Sequence, residues 1–264
     1  MTTTVSELQR AWRAVQAGVF RDPSSGEAVP DQTARVWLPE PAERVLPVVG
    51  AQSGIGATVM ALALATVSAP ARVVECAGIA VGGLAAAPTA ELGEHGSWVR
   101  GSRDGVIVER LQAGPIDPCG VAFPPLLDRI SNLTVIDVSW DPAVLLSTSA
   151  WLASLVRTMA SVVVVGTATV PGLRRLENTL LGLDPVRCIV AIVGPPRRRW
   201  ARCLIPGPAT TSLESSGRLL HVPVLPALHL AGADAADLPA PLLAAARDVI
   251  AVTDTRSLFG KELS

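Results

Sequence analysis

Three consecutive segments constrain the fold of this chain more than any other feature. Val45–Val49 is an unbroken apolar run, which is typical of a strand buried on both faces of a sheet. The glycine-rich turn Gly50–Gly56 follows it, and Ala57–Ser68 then has the pattern of an apolar helix. Glycine lets the backbone approach a ligand closely, and the free N–H groups at a helix start point towards an anion. This order predicts a phosphate-binding turn, with a tight turn that binds no ligand as the alternative.

Strands and helices alternate from this turn to near the end of the chain. Other strands are predicted at 72–76, 133–138, 162–167, 188–194 and 219–224. Other helices are predicted at 143–157, 171–183 and 238–252, whereas two segments are predicted to be mostly loop, 77–104 and 195–216. This alternation predicts an α/β fold, with a mostly parallel sheet and helices on both faces. The ligands of such sheets lie at the carboxyl ends of the strands.

The N-terminal region differs in character from the α/β region. Apolar residues at helical spacing predict a short helix over 4–17. The stretch 21–41 is rich in proline and glycine, which predicts a linker. Trp37 within it is expected to dock on the domain, because an exposed indole leaves much apolar surface in water. The chain is therefore divided into an N-terminal helix and linker (1–43), an α/β domain (44–252) and a flexible tail (253–264).

Lysine and tyrosine are nearly missing from the 264 residues. Lys261 is the one lysine and there is no tyrosine, so activities that need an internal lysine or a tyrosine are excluded. The net charge of −1 excludes binding of DNA or anionic lipid through bulk electrostatics. Nucleic acid is therefore not an expected partner.

Cysteine spacing and hydropathy indicate the compartment. None of the four cysteines is paired as C-x-x-C, which disfavours a zinc site and predicts reduced, buried cysteines. The chain opens on a polar, amphipathic stretch without the apolar core of a secretory signal. Its uncharged apolar stretches are shorter than the ~18–20 residues of a membrane-spanning helix. We expect a cytoplasmic protein without a transmembrane segment.

Two motifs resemble those of the ParA/MinD-like P-loop ATPases. The deviant Walker A loop of that family reads K-G-G-x-G-K-T, and Gln52–Thr58 aligns with it through two glycines and the final threonine. Leu133–Ser139 resembles the Walker B strand, an apolar run that ends in Asp137, and Arg72–Glu75 resembles the family's second strand. The resemblance implies a P-loop NTPase-like domain that binds ATP or ADP, with magnesium held by Thr58 and Asp137. The implied nucleotide-binding residues are Ser53, Gly54, Ile55, Gly56, Ala57 and Thr58.

Both lysines of that Walker A loop are missing. Gln52 stands at the position of the signature lysine, which in this family acts across a dimer, and Ala57 at the position of the phosphate-binding lysine. In P-loop enzymes the latter contacts the β- and γ-phosphates and neutralises developing charge. The resemblance therefore implies a pseudo-ATPase, a regulatory or scaffold protein that binds ATP or ADP weakly. It also implies a protein partner and allows a homodimer, which Gln52 would weaken.

Two other interpretations of the turn stay open. In the first, an arginine replaces the loop lysine in an active ATPase, and the candidates are Arg72, Arg100, Arg103, Arg174 and Arg175. In the second, Gly50–Gly56 resembles the G-x-x-x-G-I-G cofactor loop of the short-chain dehydrogenases, which implies dinucleotide binding by Gly50, Gly54 and Gly56. Reduction in that family needs a tyrosine with a lysine four residues later, so this interpretation leaves a non-catalytic NAD(P)-binding sensor.

A run of arginines follows one of the predicted strands. The segment Pro195–Arg202 holds four arginines around Trp200 and could grip phosphate, a nucleic-acid strand or an acidic partner. Because the net charge is near zero, a protein partner is favoured over DNA. The alternative is a solvated loop with Trp200 folded back on the core.

Four other polar residues have side chains that can take part in catalysis or metal binding. His95 lies between carboxylates in a glycine-rich segment but has no second histidine nearby, which disfavours a metal site. Ser53 misses the G-x-S-x-G pattern by one position, which disfavours a hydrolase. Asp141 precedes a proline and is expected to cap the next helix, whereas Asp137 is expected to line the site.

Overall fold

The computed structural model describes residues Trp37 and Pro39 and the ranges 43–78, 82–126 and 131–260. The helix predicted at 4–17 lies outside the described residues, as does most of the predicted linker. Trp37 is described, and its ring packs against that of Trp151, with the ring centroids 5.5 Å apart. It also packs against the hydrophobic core, so the prediction that this indole docks on the domain is confirmed.

Nine strands form one mixed sheet. They are β1 (Val45–Gly50), β2 (Ala71–Glu75), β3 (Ala90–His95), β4 (Trp98–Arg103), β5 (Val106–Leu111), β6 (Leu133–Asp137), β7 (Val162–Thr167), β8 (Cys188–Val193) and β9 (Leu219–Val222). Their order across the sheet is β3-β4-β5-β2-β6-β1-β7-β8-β9. All neighbouring pairs from β5 to β9 are parallel, and only β4 runs antiparallel to its neighbours. The predicted α/β class with a mostly parallel sheet is confirmed.

Seven helices lie among the described residues. They are α1 (Ala57–Val67), α2 (Pro142–Leu146), α3 (Trp151–Thr158), α4 (Val170–Leu183), α5 (Pro208–Ser215), α6 (Pro226–Ala231) and α7 (Ala240–Gly260). Helix α1 packs on β1, β2 and β6 and against α7, whereas α4 packs on β7 and against α2 and α5. The alanine-rich α1 is almost wholly buried, because its small side chains let the sheet and α7 approach it from two sides.

The strand order distinguishes between the two families that the glycine turn resembles. Strand β6 lies between β1 and β2, so that Asp137 is a register neighbour of both Val48 and Glu75. In the dinucleotide-binding fold the second strand lies directly beside the first. The observed order does not support the dehydrogenase-like interpretation. It also brings the carboxyl ends of β1, β2 and β6, which carry Gly50, Glu75 and Asp137, to one edge of the sheet.

The prediction that 77–104 is mostly loop was wrong. Strands β3 and β4 lie there and, with β5, extend the sheet as an antiparallel ribbon. Strands β4 and β5 bury three charged side chains. Arg100 donates to Glu109, and Arg103 donates to the backbone oxygens of Asp234 and Ala236. Strand β3 is exposed along its whole length. A strand with buried charges or with no buried face lacks the apolar pattern from which strands are predicted.

Other boundaries also differ from the predictions. The helix predicted at 143–157 is two helices, α2 and α3, and the loop predicted at 195–216 contains α5. The amino end of α5 is held by the distant carboxylate of Glu177, which accepts from Ala209 N at 2.7 Å and Thr210 N at 3.0 Å. Helix α6 was not predicted, and α7 continues to Gly260, beyond the predicted start of the tail at 253.

The cysteines are only partly as predicted. All four are free, and Cys76 and Cys188 are buried, whereas Cys119 is intermediate and Cys203 is exposed. Among the described residues no helix has the length and apolarity that crossing a membrane requires.

Candidate functional site

A cavity of about 820 Å³ opens at the carboxyl ends of β1, β7, β8 and β9. The predicted loop residues all line it, namely Ser53, Gly54, Ile55, Gly56, Ala57 and Thr58. Its other walls come from the turn after β6 (139–141), the turn after β7 (167–169), the residues after β8 and β9 (194–195 and 223–225) and helix α6. The cavity therefore lies where ligands of parallel α/β sheets bind.

The glycine turn has a shape that only glycine adopts without strain. Gly54 has φ +71° and Gly56 has φ +88°, both in the left-handed region. Gly56 is the N-cap of α1, and no side chain accepts a hydrogen bond from the first turn of that helix. The first N–H groups of a helix have no partner within the helix. They are therefore available to an anion in the cavity.

Asp137 lies behind the turn, at the end of β6, with its side chain fully buried. Burial raises the pKa of this carboxyl to about 6, and the side chains of Thr58 and Ser139 oppose the rise. Neither carboxylate oxygen has a partner with hydrogen-bond geometry among the described residues. Asp137 does not itself line the cavity, contrary to expectation, whereas Thr58 does. A hydroxyl beside an unpartnered carboxylate is a donor set compatible with Mg²⁺, which prefers oxygen ligands.

A second buried carboxylate, Glu75, lies beside Asp137 at the end of β2. Burial and, to a smaller extent, the charge of Asp137 raise the pKa of Glu75 to about 7. The backbone N–H groups of Gly83 and Leu84 donate to this carboxylate and oppose the rise. A Cβ placed on Gly83 would lie 3.1 Å from the Thr58 methyl group, so the segment packs closely on the start of α1. Two acidic groups with raised pKa values therefore lie near the turn without lining the cavity.

No lysine or arginine lines the cavity in the part of the chain that the structure describes. The cavity-lining residues with an ionisable side chain there are Asp141 and His229. Asp141 caps α2 as predicted, accepting from Ala143 N at 2.9 Å and Val144 N at 3.2 Å. Phosphate charge in this cavity would therefore meet backbone N–H groups and no fixed cationic side chain.

The arginines proposed as substitutes for the lysine lie elsewhere. Arg72 and Arg100 are buried and donate to the two oxygens of Glu109, at 2.7 and 2.9 Å. Arg103 donates to the backbone oxygens of Asp234 and Ala236 at 2.7 and 2.9 Å. The last two candidates are exposed on α4 and do not line the cavity, Arg174 and Arg175. None of these five arginines therefore lines the cavity in the part of the chain that the structure describes.

His95 does not line the cavity. It is at the end of the exposed edge strand β3, and the described residues contain no cluster of three metal-binding side chains.

The sequence did not predict the cavity walls after β7, β8 and β9, which include Thr167, Pro195 and Leu225. These residues carry no motif, and the one available signal was that they follow predicted parallel strands, whose carboxyl ends share one edge.

Comparison with known proteins identifies the fold. No family model matches the chain, and no curated protein matches it. A plasmid partition protein from Borrelia burgdorferi, bound to AMPPNP, matches with a TM-score of 0.51 and 10% identity, covering 81% of this chain and 99% of its own. The cell division ATPase MinD of Pyrococcus furiosus matches with a TM-score of 0.49 and 15% identity, covering 79% and 99%. A chain of the MinC:MinD cell division complex from Aquifex aeolicus matches with a TM-score of 0.48 and 14% identity, covering 79% and 96%.

The first of these likenesses, with a TM-score of 0.51, is a likeness in fold. The chain has a ParA/MinD-like P-loop fold. At 10% identity the likeness concerns the fold, and the function has to be argued from the residues of this chain.

Proposed function

We propose that the chain is a cytoplasmic regulatory or scaffold protein that binds ATP or ADP weakly, with magnesium, and does not hydrolyse it. One observation carries this proposal. A glycine turn shaped for phosphate opens on a cavity that no lysine or arginine lines among the described residues. Such a site keeps the backbone donors of a P-loop and lacks the cation that P-loop enzymes place on the reacting phosphates.

Nucleotide binding would use Ser53, Gly54, Ile55, Gly56, Ala57 and Thr58. The uncapped start of α1 offers N–H groups and the positive end of the helix dipole, equivalent to roughly half a charge. Thr58 and Asp137 would hold a magnesium ion, which when bound neutralises part of the phosphate charge. Binding without a cationic side chain is expected to be weak and dependent on magnesium.

Hydrolysis is expected to be negligible because charge develops on the phosphates where no lysine or arginine of the described residues lines the cavity. Ala57 and Gln52 are uncharged, and Lys261 lies outside the described residues. Removal of a single positioned donor lowers the rate of better-studied enzymes roughly 10²–10³-fold. With both lysines missing, the nucleotide would act as a ligand that is bound and not hydrolysed.

A protein that binds nucleotide without consuming it acts through what it contacts. One protein of similar fold was solved in a MinC:MinD cell division complex. By analogy we propose a protein partner for this chain. A homodimer closed over nucleotide is compatible with the fold, although Gln52 is uncharged where the family places a lysine that acts across the dimer.

A thermal-shift titration of the purified protein tests nucleotide binding. Magnesium-ATP at 100 times its dissociation constant is expected to stabilise the native state by ~2.7 kcal/mol. Gly56→Ala, which places a side chain at φ +88° in the turn, is expected to lose at least half of this shift. Gly217→Ala is the matched control, because Gly217 has φ +70°, meets nothing within 4 Å and does not line the cavity.

The ligand that produces the shift separates the candidate functions. A shift with ATP or ADP that requires magnesium and is retained in Gly217→Ala supports the proposal. A shift with NAD or NADP alone would contradict it and favour the dinucleotide sensor. No shift with any of the four ligands would leave a scaffold that does not respond to nucleotide.

A further inference from the structure

The segment 195–206, here called the arginine loop, follows β8 and is anchored to the domain at its start. Arg197 Nε lies 3.0 Å from a carboxylate oxygen of Glu214 on α5. The Arg197 guanidinium also lies 4.5 Å from the centre of the Trp200 ring. Trp200 Nε1 donates to Pro195 O at 2.9 Å. These three contacts give the first half of the loop a fixed shape, so the loop is more than a solvated connection.

The other three arginines of the loop are directed to solvent. Arg198, Arg199 and Arg202 are exposed, and none of their side chains has a hydrogen bond or ion pair within the described part of the chain. Ile205, on the same loop, has 78% of its surface exposed. In a chain with a net charge of −1, three exposed arginines and an exposed apolar side chain thus share one loop.

The arginine loop begins at the rim of the cavity. Gly194 and Pro195 line the cavity, and His221 Nε2 lies 2.6 Å from Gly194 O. A partner bound to the loop would therefore lie beside the mouth of the cavity. Ligand binding in the cavity and partner binding to the loop can therefore affect each other through Gly194 and Pro195.

We propose that Arg198, Arg199 and Arg202 bind an acidic segment of a partner protein, which covers Ile205 with an apolar side chain. Arginine guanidinium groups pair with carboxylates through two parallel hydrogen bonds. The proposal names the docking surface for the scaffold role given above, and it does not depend on nucleotide binding.

A protein segment fits this surface better than a nucleic acid does. Binding of single strands relies on aromatic faces that stack on bases. The Trp200 ring is half-buried and covered by Arg197, so it does not offer an open face. Three free arginines could neutralise about three phosphates, which gives weak binding that salt abolishes. The exposed Ile205 side chain has no counterpart along a phosphate backbone.

The test measures fluorescence anisotropy of a labelled peptide of alternating Glu and Leu, with the same peptide carrying Gln for Glu as the uncharged probe. The full-length protein is expected to bind the acidic peptide saturably. Arg198→Glu with Arg199→Glu should weaken binding about tenfold or more, because two attractive charges become repulsive. Ile205→Ser should weaken binding about threefold or more, since burial of the apolar side chain is lost.

The matched control is Arg174→Glu with Arg175→Glu, which makes the same charge change at two exposed arginines on α4. It should retain binding within about twofold. Equal loss in both double variants, tighter binding of a single-stranded DNA of equal charge, or no saturable peptide binding would each overturn the proposal. The thermal unfolding transition of the loop variant without ligand shows that it is folded. Its magnesium-ATP thermal shift separates failure of this proposal from failure of nucleotide binding.

Discussion

Replacing Ala57 with lysine is expected to raise the affinity for magnesium-ATP roughly 10- to 100-fold. Ala57 is the first residue of α1, is half-buried and lines the cavity. A hydrogen bond to a charged group contributes about 1.5–3 kcal/mol, which corresponds to this range of affinity. The variant introduces a cation into a cavity that has no lysine or arginine among the described residues. Isothermal titration calorimetry of wild type and variant measures the difference.

The matched control for this variant is Ala57→Met, which adds length without charge and retains helix propensity. Methionine is expected to change the affinity by less than about threefold. An equal gain with methionine would mean that packing, rather than the charge, improves binding. No gain with lysine would mean that the turn does not hold phosphate at this position, and the P-loop account of the cavity would be wrong.

The second large effect is a loss of stability with rising pH, caused by Asp137. Burial raises the pKa of this carboxyl from 3.8 to about 6 in the folded protein. The protonated carboxyl therefore favours the folded state fully at pH values below its unfolded pKa of 3.8. This favourable contribution to the free energy of unfolding is lost as the pH rises through the folded pKa of about 6. In the absence of magnesium the loss amounts to about 3 kcal/mol of unfolding free energy. Glu75, whose pKa is raised to about 7, extends the loss to higher pH.

Asp137→Asn is expected to remove most of this pH dependence, because asparagine cannot ionise. The measurement is urea unfolding in EDTA at several values between pH 4 and pH 8, with the slope of free energy against pH compared between proteins. Asp141→Asn removes a carboxylate that is exposed and keeps the capping oxygen, and it should follow the wild type. Equal slopes for Asp137→Asn and wild type would contradict the burial and unpartnered state of this carboxylate.

The central part of the site could be predicted because its signals are local in sequence. The buried strand β1, the glycine turn and α1 are consecutive, so composition and spacing indicate all three. The position of Asp137 at the end of β6 followed from one apolar run. The sequence could not show that Asp137 is fully buried behind the turn, since that depends on β6 lying between β1 and β2.

Features that depend on contacts between residues far apart in the sequence could not be predicted. The ribbon β3–β5 buries Arg72 and Arg100 against Glu109, and a pattern of apolar residues does not reveal such pairs. Helix α5 is capped by Glu177 from another helix, so its start carries no local capping signal. The five candidate arginines do not line the cavity for a similar reason, because the sequence does not distinguish a buried, paired arginine from one that faces a site.

Steady-state ATP hydrolysis by the purified full-length protein with magnesium tests the non-hydrolysing role. We expect turnover no greater than that of Asp137→Asn assayed beside it. Turnover that is present in the wild type and lost in Asp137→Asn would show a working magnesium site, and would contradict the non-hydrolysing role. Turnover that persists in Asp137→Asn would contradict it equally, since another residue would then supply the charge that the missing lysines do not.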